Sequence, residues 1–131
     1  MVTRPLRVAP LVVSALFAFY VLFTPSSDVP SGVAHLGTII HVTLFAMLAV
    51  TSRFAGIGTL VTAVWLAAFG GLSELAQGAL PIGRTTSLQD WFADLVGVAA
   101  GLVVFSLASS VTKRARRAST PAAPRPRPSA K

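Results

Sequence analysis

The chain contains no cysteine, and only four of its 131 residues are acidic. Without cysteine there is no disulfide framework, no thiolate metal site and no cysteine nucleophile within this chain. The shortage of charge is as informative. Asp, Glu, Lys and Arg together make up 11% of the residues against 53% hydrophobic, and the mean hydropathy is +0.73. A soluble domain carries about 25% charged residues. The composition therefore places the chain in a bilayer. It also leaves no folded soluble part to present a groove-reading element, so the pI near 11.7 does not point to nucleic acid.

The charge that is present is unevenly spread. Arg4 and Arg7 precede the first apolar run, seven Lys or Arg and no acid follow Ala108, and the stretch between is net acidic. The first apolar segment runs from about Val8 to Phe23 and ends in a loop, TPSSDVPSG, rich in Pro, Ser and Gly. Bulky Tyr20, Val21, Leu22 and Phe23 close it with no small-residue cleavage site, so it reads as a retained span rather than a signal peptide. The second segment covers about Val33 to Thr51, with His35 and His41 in its first half, and Arg53 follows it. The third, from Gly58 to Leu80, is apolar until Glu74 and Gln77. Pro81 and Gly83 then punctuate a tight connection, and Ser87 with Asp90 three residues on resembles a capping box that starts a fourth helix, about Leu88 to Ala108.

Spans of roughly 16 to 23 residues suit the ~20 needed to cross a hydrocarbon core, and helices satisfy their own backbone there. The expected fold is all-α: a multi-pass protein of the cell membrane with four transmembrane helices in residues 1–110 and a disordered basic tail in residues 111–131. Basic residues at the N-terminus, at Arg53 and in the KRARR run put both termini in the cytoplasm, because the first loop has only Asp28. Arg84 is the one cation on the opposite side, which makes it a candidate for a specific partner. The tail, with Pro, Ala, Ser and Arg alternating, is expected to meet anionic lipid headgroups.

Counting along the helices places a polar cluster at a common depth. Glu74 lies six residues before Leu80, and His41 and Asp94 lie seven beyond Ala34 and Ser87. At ~1.5 Å per residue all three sit ~9 to 11 Å below the external surface, with Asp90 one turn higher and Arg84 in the loop above. Glu74 and Gln77 share a face, as do His41 and Phe45, and Asp90, Asp94, Gly97 and Gly101 follow one face of the fourth helix. The G-x-x-x-G of Gly97 and Gly101, with Gly70 and Gly71 on the third helix, allows close helix approach, within the chain or between copies. Charges inside a span are costly. An external pocket of His41, Glu74, Gln77, Arg84, Asp90 and Asp94 is thus the expected functional site, with a structural Arg–carboxylate clamp as the alternative. His35, beside the interface, reads as a solvated surface residue.

These residues resemble those of the VanZ-like membrane proteins. The resemblance covers roughly residues 30 to 105 and rests on His41 with Phe45, Glu74 with Gln77, Arg84, Asp90, Gly97 and Gly101. The chain departs from the pattern at Gly37 and Thr38, where an Asp–Lys pair is common, and at Asp94, where Asn is usual. That extra acid calls for neutralisation by His41 or by a proton shared with Asp90. The resemblance implies a bacterial cell-envelope setting and an association with low-level resistance to the glycopeptide teicoplanin.

Two functional classes stay open on the residues. One is a binder of an anionic or lipid-linked ligand, with Arg84 on phosphate or carboxylate and His41, Glu74 and Asp90 setting the polarity. The other is a membrane-embedded acid/base enzyme acting on a phosphorylated envelope lipid, with Thr85, Thr86 and Ser87 the available hydroxyls. A proton-linked transporter fits poorly, because the inner halves of the helices hold few polar side chains. No cofactor or resident metal is expected, although His41, Glu74, Asp90 and Asp94 have chemistry a mixed-ligand cation accepts. Membrane lipids are the expected partners.

Overall fold

A computed structural model of the chain describes residues 4–25, 27 and 36–119, so Asp28, His35 and the last residues of the basic tail lie outside the described part. The described residues form four helices and no strand: α1 (Arg4–Phe23), α2 (Leu36–Phe54), α3 (Thr59–Ala79) and α4 (Leu88–Ser119). All four are long and apolar enough to cross a membrane. Their outward faces agree, since large apolar side chains such as Leu16, Phe17, Leu60, Leu72, Val103 and Leu107 are exposed. An aqueous protein does not display such an apolar surface around its whole girth. This is a membrane-protein-like helical architecture.

The first helix begins at Arg4, ahead of the expected Val8, and thereby gains the length that its apolar run lacks. Pro10 lies inside it and contributes no backbone N–H; the Ser14 hydroxyl donates to the Pro10 carbonyl at 2.7 Å. The fourth helix departs further from expectation. It continues through the KRARR run to Ser119, well past Ala108. Residues 111–119 are therefore helical rather than disordered. Lys, Arg and Ala are good helix formers, and Arg116 and Arg117 in the last turn oppose the negative end of the helix dipole. The extra turns protrude, because a 32-residue helix measures ~48 Å against a hydrocarbon core of ~30 Å.

The core is small and lies along α2, where Leu44, Phe45, Leu48 and Ala49 meet Ala18 and Leu22 of α1, Leu66 of α3 and Val98 of α4. The most extensive helix pair is α2 with α4. Glycines make it possible: a Cβ on Gly97 would collide with the Val42 carbonyl and one on Gly101 with the Ala46 carbonyl. The G-x-x-x-G face is thus filled by α2 of the same chain. A dimer through that face has no room, and the reason is that α2 and α4 already use it.

At one end of the bundle, α2 and α3 are joined by a short turn in which Gly56 takes a φ of +93°, a conformation that side chains disfavour. Arg53 lies there, donating to the Ile57 carbonyl and stacking over the Phe105 ring, 5.3 Å from its centroid. The α3–α4 connection lies at the other end, and the candidate site is built beside it.

Candidate functional site

Helix α3 stops where Pro81 follows Leu80, whose N–H still reaches the Ala76 carbonyl. The chain reverses through Gly83, in the left-handed region at φ +71°, and re-enters a helix at Ser87. The cap of α4 is only half the expected box. The Ser87 hydroxyl accepts the Asp90 N–H at 3.1 Å, but the Ser87 N–H donates to Oε2 of Glu74 at 2.9 Å. A carboxylate from another helix takes the place that the capping box assigns to Asp90. Two consequences follow. Glu74 is anchored at the head of α4, and the Asp90 carboxylate is released from capping.

Beneath this cap, His41 Nδ1 lies 2.8 Å from Oδ1 of Asp94 and 3.8 Å from Oε1 of Glu74. His41 and Glu74 are each 2% exposed and Asp94 is fully buried. Asp90 is half-buried, and one ligand-type atom each of His41, Glu74 and Asp90 fit within 4.8 Å of one another. Small residues create the space. Gly70 faces Asp94, where a Cβ would come within 2.7 Å of Oδ2, and Gly78 lies against Thr86 of the loop. Oε1 of Glu74 and Oδ2 of Asp94 have no hydrogen-bond partner despite their burial. Groups of this kind are rare and costly in folded proteins.

Four of the six expected site residues therefore come together: His41, Glu74, Asp90 and Asp94. The other two do not join them. Gln77 Nε2 donates to the Leu22 carbonyl at 3.0 Å, and Arg84 Nε donates to the Thr24 carbonyl at 3.0 Å. Both serve the end of α1, whose last carbonyls have no intrahelical donor. Among the described residues no carboxylate pairs with Arg84, so the Arg–carboxylate clamp considered from sequence is not formed there. Gly97 and Gly101 hold α2 against α4 and so set the distance that lets His41 reach Asp94.

Sequence reasoning missed Trp91, Gly78 and the backbone of Ser87. The Trp91 indole donates to the Ala67 carbonyl at 3.1 Å and packs on Gly71. An interfacial Trp four residues after a helix cap was a usable signal. Beside it runs a groove of about 560 Å³ between α3 and α4, lined by Ala67, Ala68, Gly71, Leu72, Leu75, Leu88 and Trp91 and closed at the loop end by Glu74, Thr86 and Ser87. Its exposed lining is almost wholly apolar, and the buried Glu74 lies behind its loop end. Glu74 belongs both to the groove and to the buried cluster.

No protein-family profile, curated protein or solved structure matches the chain in comparisons with each.

Proposed function

We propose that the protein is a multi-pass component of the bacterial cell membrane that binds an anionic or lipid-linked amphiphile at the α3–α4 loop end. The chain of the ligand lies in the groove between α3 and α4, its head lies beside Thr86 and Ser87, and the half-buried Arg84 of the same loop supplies the cation by leaving the Thr24 carbonyl. The observation that carries this reading is the double membership of Glu74, which joins a lipid-facing apolar groove to a buried polar cluster. A ligand chain sliding in from the bilayer meets apolar side chains along the groove and ends beside the α3–α4 loop, where a polar head reaches the membrane surface. The positive-inside rule turns this end outward. There it faces envelope lipids, and the VanZ-like pattern of residues extends the proposal to glycopeptide (teicoplanin) susceptibility.

The test uses a long-chain polyprenyl phosphate and native mass spectrometry of the purified protein. Ala68→Trp fills the groove and Arg84→Ala removes the cation, and each is expected to weaken retention by about tenfold, one lost anchor or charge-assisted contact. Expression in a host lacking its own copy is expected to shift teicoplanin susceptibility, with the same two variants inactive. Wild-type retention by a correctly inserted Ala68→Trp protein overturns the groove.

One observation favours a second reading, an acid/base enzyme on a phosphorylated envelope lipid: the His41–Asp94 bond orients an imidazole beside a further carboxylate. The readings separate by degree. Loss of a single proton-transfer group removes an enzyme's activity almost completely, whereas a binding site weakens in steps.

A further inference from the structure

We infer that His41, Glu74 and Asp90 form a site for one divalent transition cation, Zn²⁺ or Mn²⁺, beneath the cap of α4. One ligand-type atom from each residue fits within 4.8 Å of the others, and they come from three different helices. Bound Zn²⁺ holds its ligands at ~2.0–2.2 Å, which brings ligand atoms to ~3–3.5 Å apart, so a side-chain adjustment of about 1 Å closes the set. One imidazole and two carboxylates suit Zn²⁺ or Mn²⁺ better than the all-oxygen cations Ca²⁺ and Mg²⁺.

The second argument is independent of proximity. Oε1 of Glu74 is buried without a hydrogen-bond partner, and it is the oxygen that faces His41, 3.8 Å from Nδ1. A buried anionic oxygen with no donor is expensive in a membrane, and a cation at this point supplies what the protein does not. Two of the three ligands are also held by neighbours, and the third is free to turn. Asp94 bonds the imidazole at 2.8 Å, the Ser87 N–H holds the other oxygen of Glu74, and the same exchange at the cap leaves the Asp90 carboxylate unengaged. Metal-binding histidines are oriented by a carboxylate on the non-ligating nitrogen, so with Nδ1 held by Asp94 the nitrogen left for the ion is Nε2. Three protein ligands leave coordination positions open, as in sites that take a substrate oxygen. The inference deepens the proposed function at this point, since a cation is what allows an acid-rich cluster to receive an anionic headgroup, but the cation site does not depend on the amphiphile.

The experiment uses tag-free full-length protein in detergent, stripped with chelator and titrated with Zn²⁺ and with Mn²⁺. Wild type is expected to take up one equivalent of either ion and to unfold about 5 °C higher when loaded. Asp90→Asn, at a half-buried position on the surface of the fold, and Glu74→Gln are each expected to lower affinity at least about tenfold. X-ray absorption of the Zn²⁺ form should show one imidazole among oxygen ligands. Absence of a stoichiometric site in wild type overturns the inference. So does an unchanged affinity in folded Asp90→Asn, or a zinc shell without nitrogen, and these decide the matter even if Glu74→Gln fails to fold. Polyprenyl phosphate retention is measured on the same samples. Retention by metal-free protein that binds no ion removes the cation alone, and ion uptake without lipid retention removes the amphiphile alone.

Discussion

The two ends of the bundle treat charge in opposite ways. At the α3–α4 loop end the acids are inside: Glu74 and Asp94 are buried, come from different helices and converge on one histidine. At the other end the bases lie toward the surface: the half-buried Arg53 rests on Phe105, and Lys113, Arg114, Arg116 and Arg117 line the exposed last turns of α4. Long basic side chains near an interface reach headgroups on their own. A short carboxylate within the hydrocarbon depth cannot reach water and must be met by the protein. The two buried acids therefore report on tertiary contacts, and the bases in the last turns of α4 report on the membrane surface.

The comparison breaks most forcefully at the helix pair that assembles the acidic end. Gly97→Val adds bulk against the Val42 carbonyl and Phe45 and should cost about 3 kcal/mol of unfolding free energy, measured by denaturation in mixed micelles. If stability is unchanged, close packing of α2 on α4 is not what brings His41 to Asp94. A smaller effect belongs to the pair itself. Asp94→Ala removes the oxygen bonded to His41 and is expected to destabilise by about 1–3 kcal/mol, with Asp94→Asn recovering part of the loss because an amide oxygen still accepts the imidazole N–H. Equal losses in Ala and Asn variants would mean that charge, rather than the hydrogen bond, holds the pair. The smallest effect lies at the basic end. Replacing Lys113, Arg114, Arg116 and Arg117 together by Gln should leave the unfolding midpoint within about 2 °C, while abolishing any extra stability that anionic over zwitterionic vesicles confer. A large loss in zwitterionic lipid would place those residues in the fold rather than at the surface.

How legible the site was differed residue by residue. Four helices are readable because apolar length is a local property: the two ends of α3 and the start of α4 fall within a residue of Gly58, Leu80 and Leu88, while α2 runs three residues past Thr51. The end of α4 is not legible in hydropathy, since the apolar run marks only the membrane-buried part of a helix that continues through KRARR to Ser119. His41, Glu74, Asp90 and Asp94 were selected together because depth along a helix follows from counting residues. Gln77, expected from the face it shares with Glu74, and Arg84, expected from the loop above, turn instead to Leu22 and Thr24, because the end of α1 presents carbonyls that nothing in their own stretch of sequence announces.

The sequence by itself determined that the chain forms four membrane-length helices, with acids gathered toward one end and bases toward the other, since hydropathy and charge are carried by each residue alone. Only the tertiary structure decided which polar group meets which. The Ser87 N–H went to Glu74, the imidazole of His41 to Asp94, and Arg84 to the end of α1. Those choices depend on helix rotation and separation, which glycines at 70, 97 and 101 permit by letting backbones and carboxylates approach, and no local pattern encodes a distance between helices.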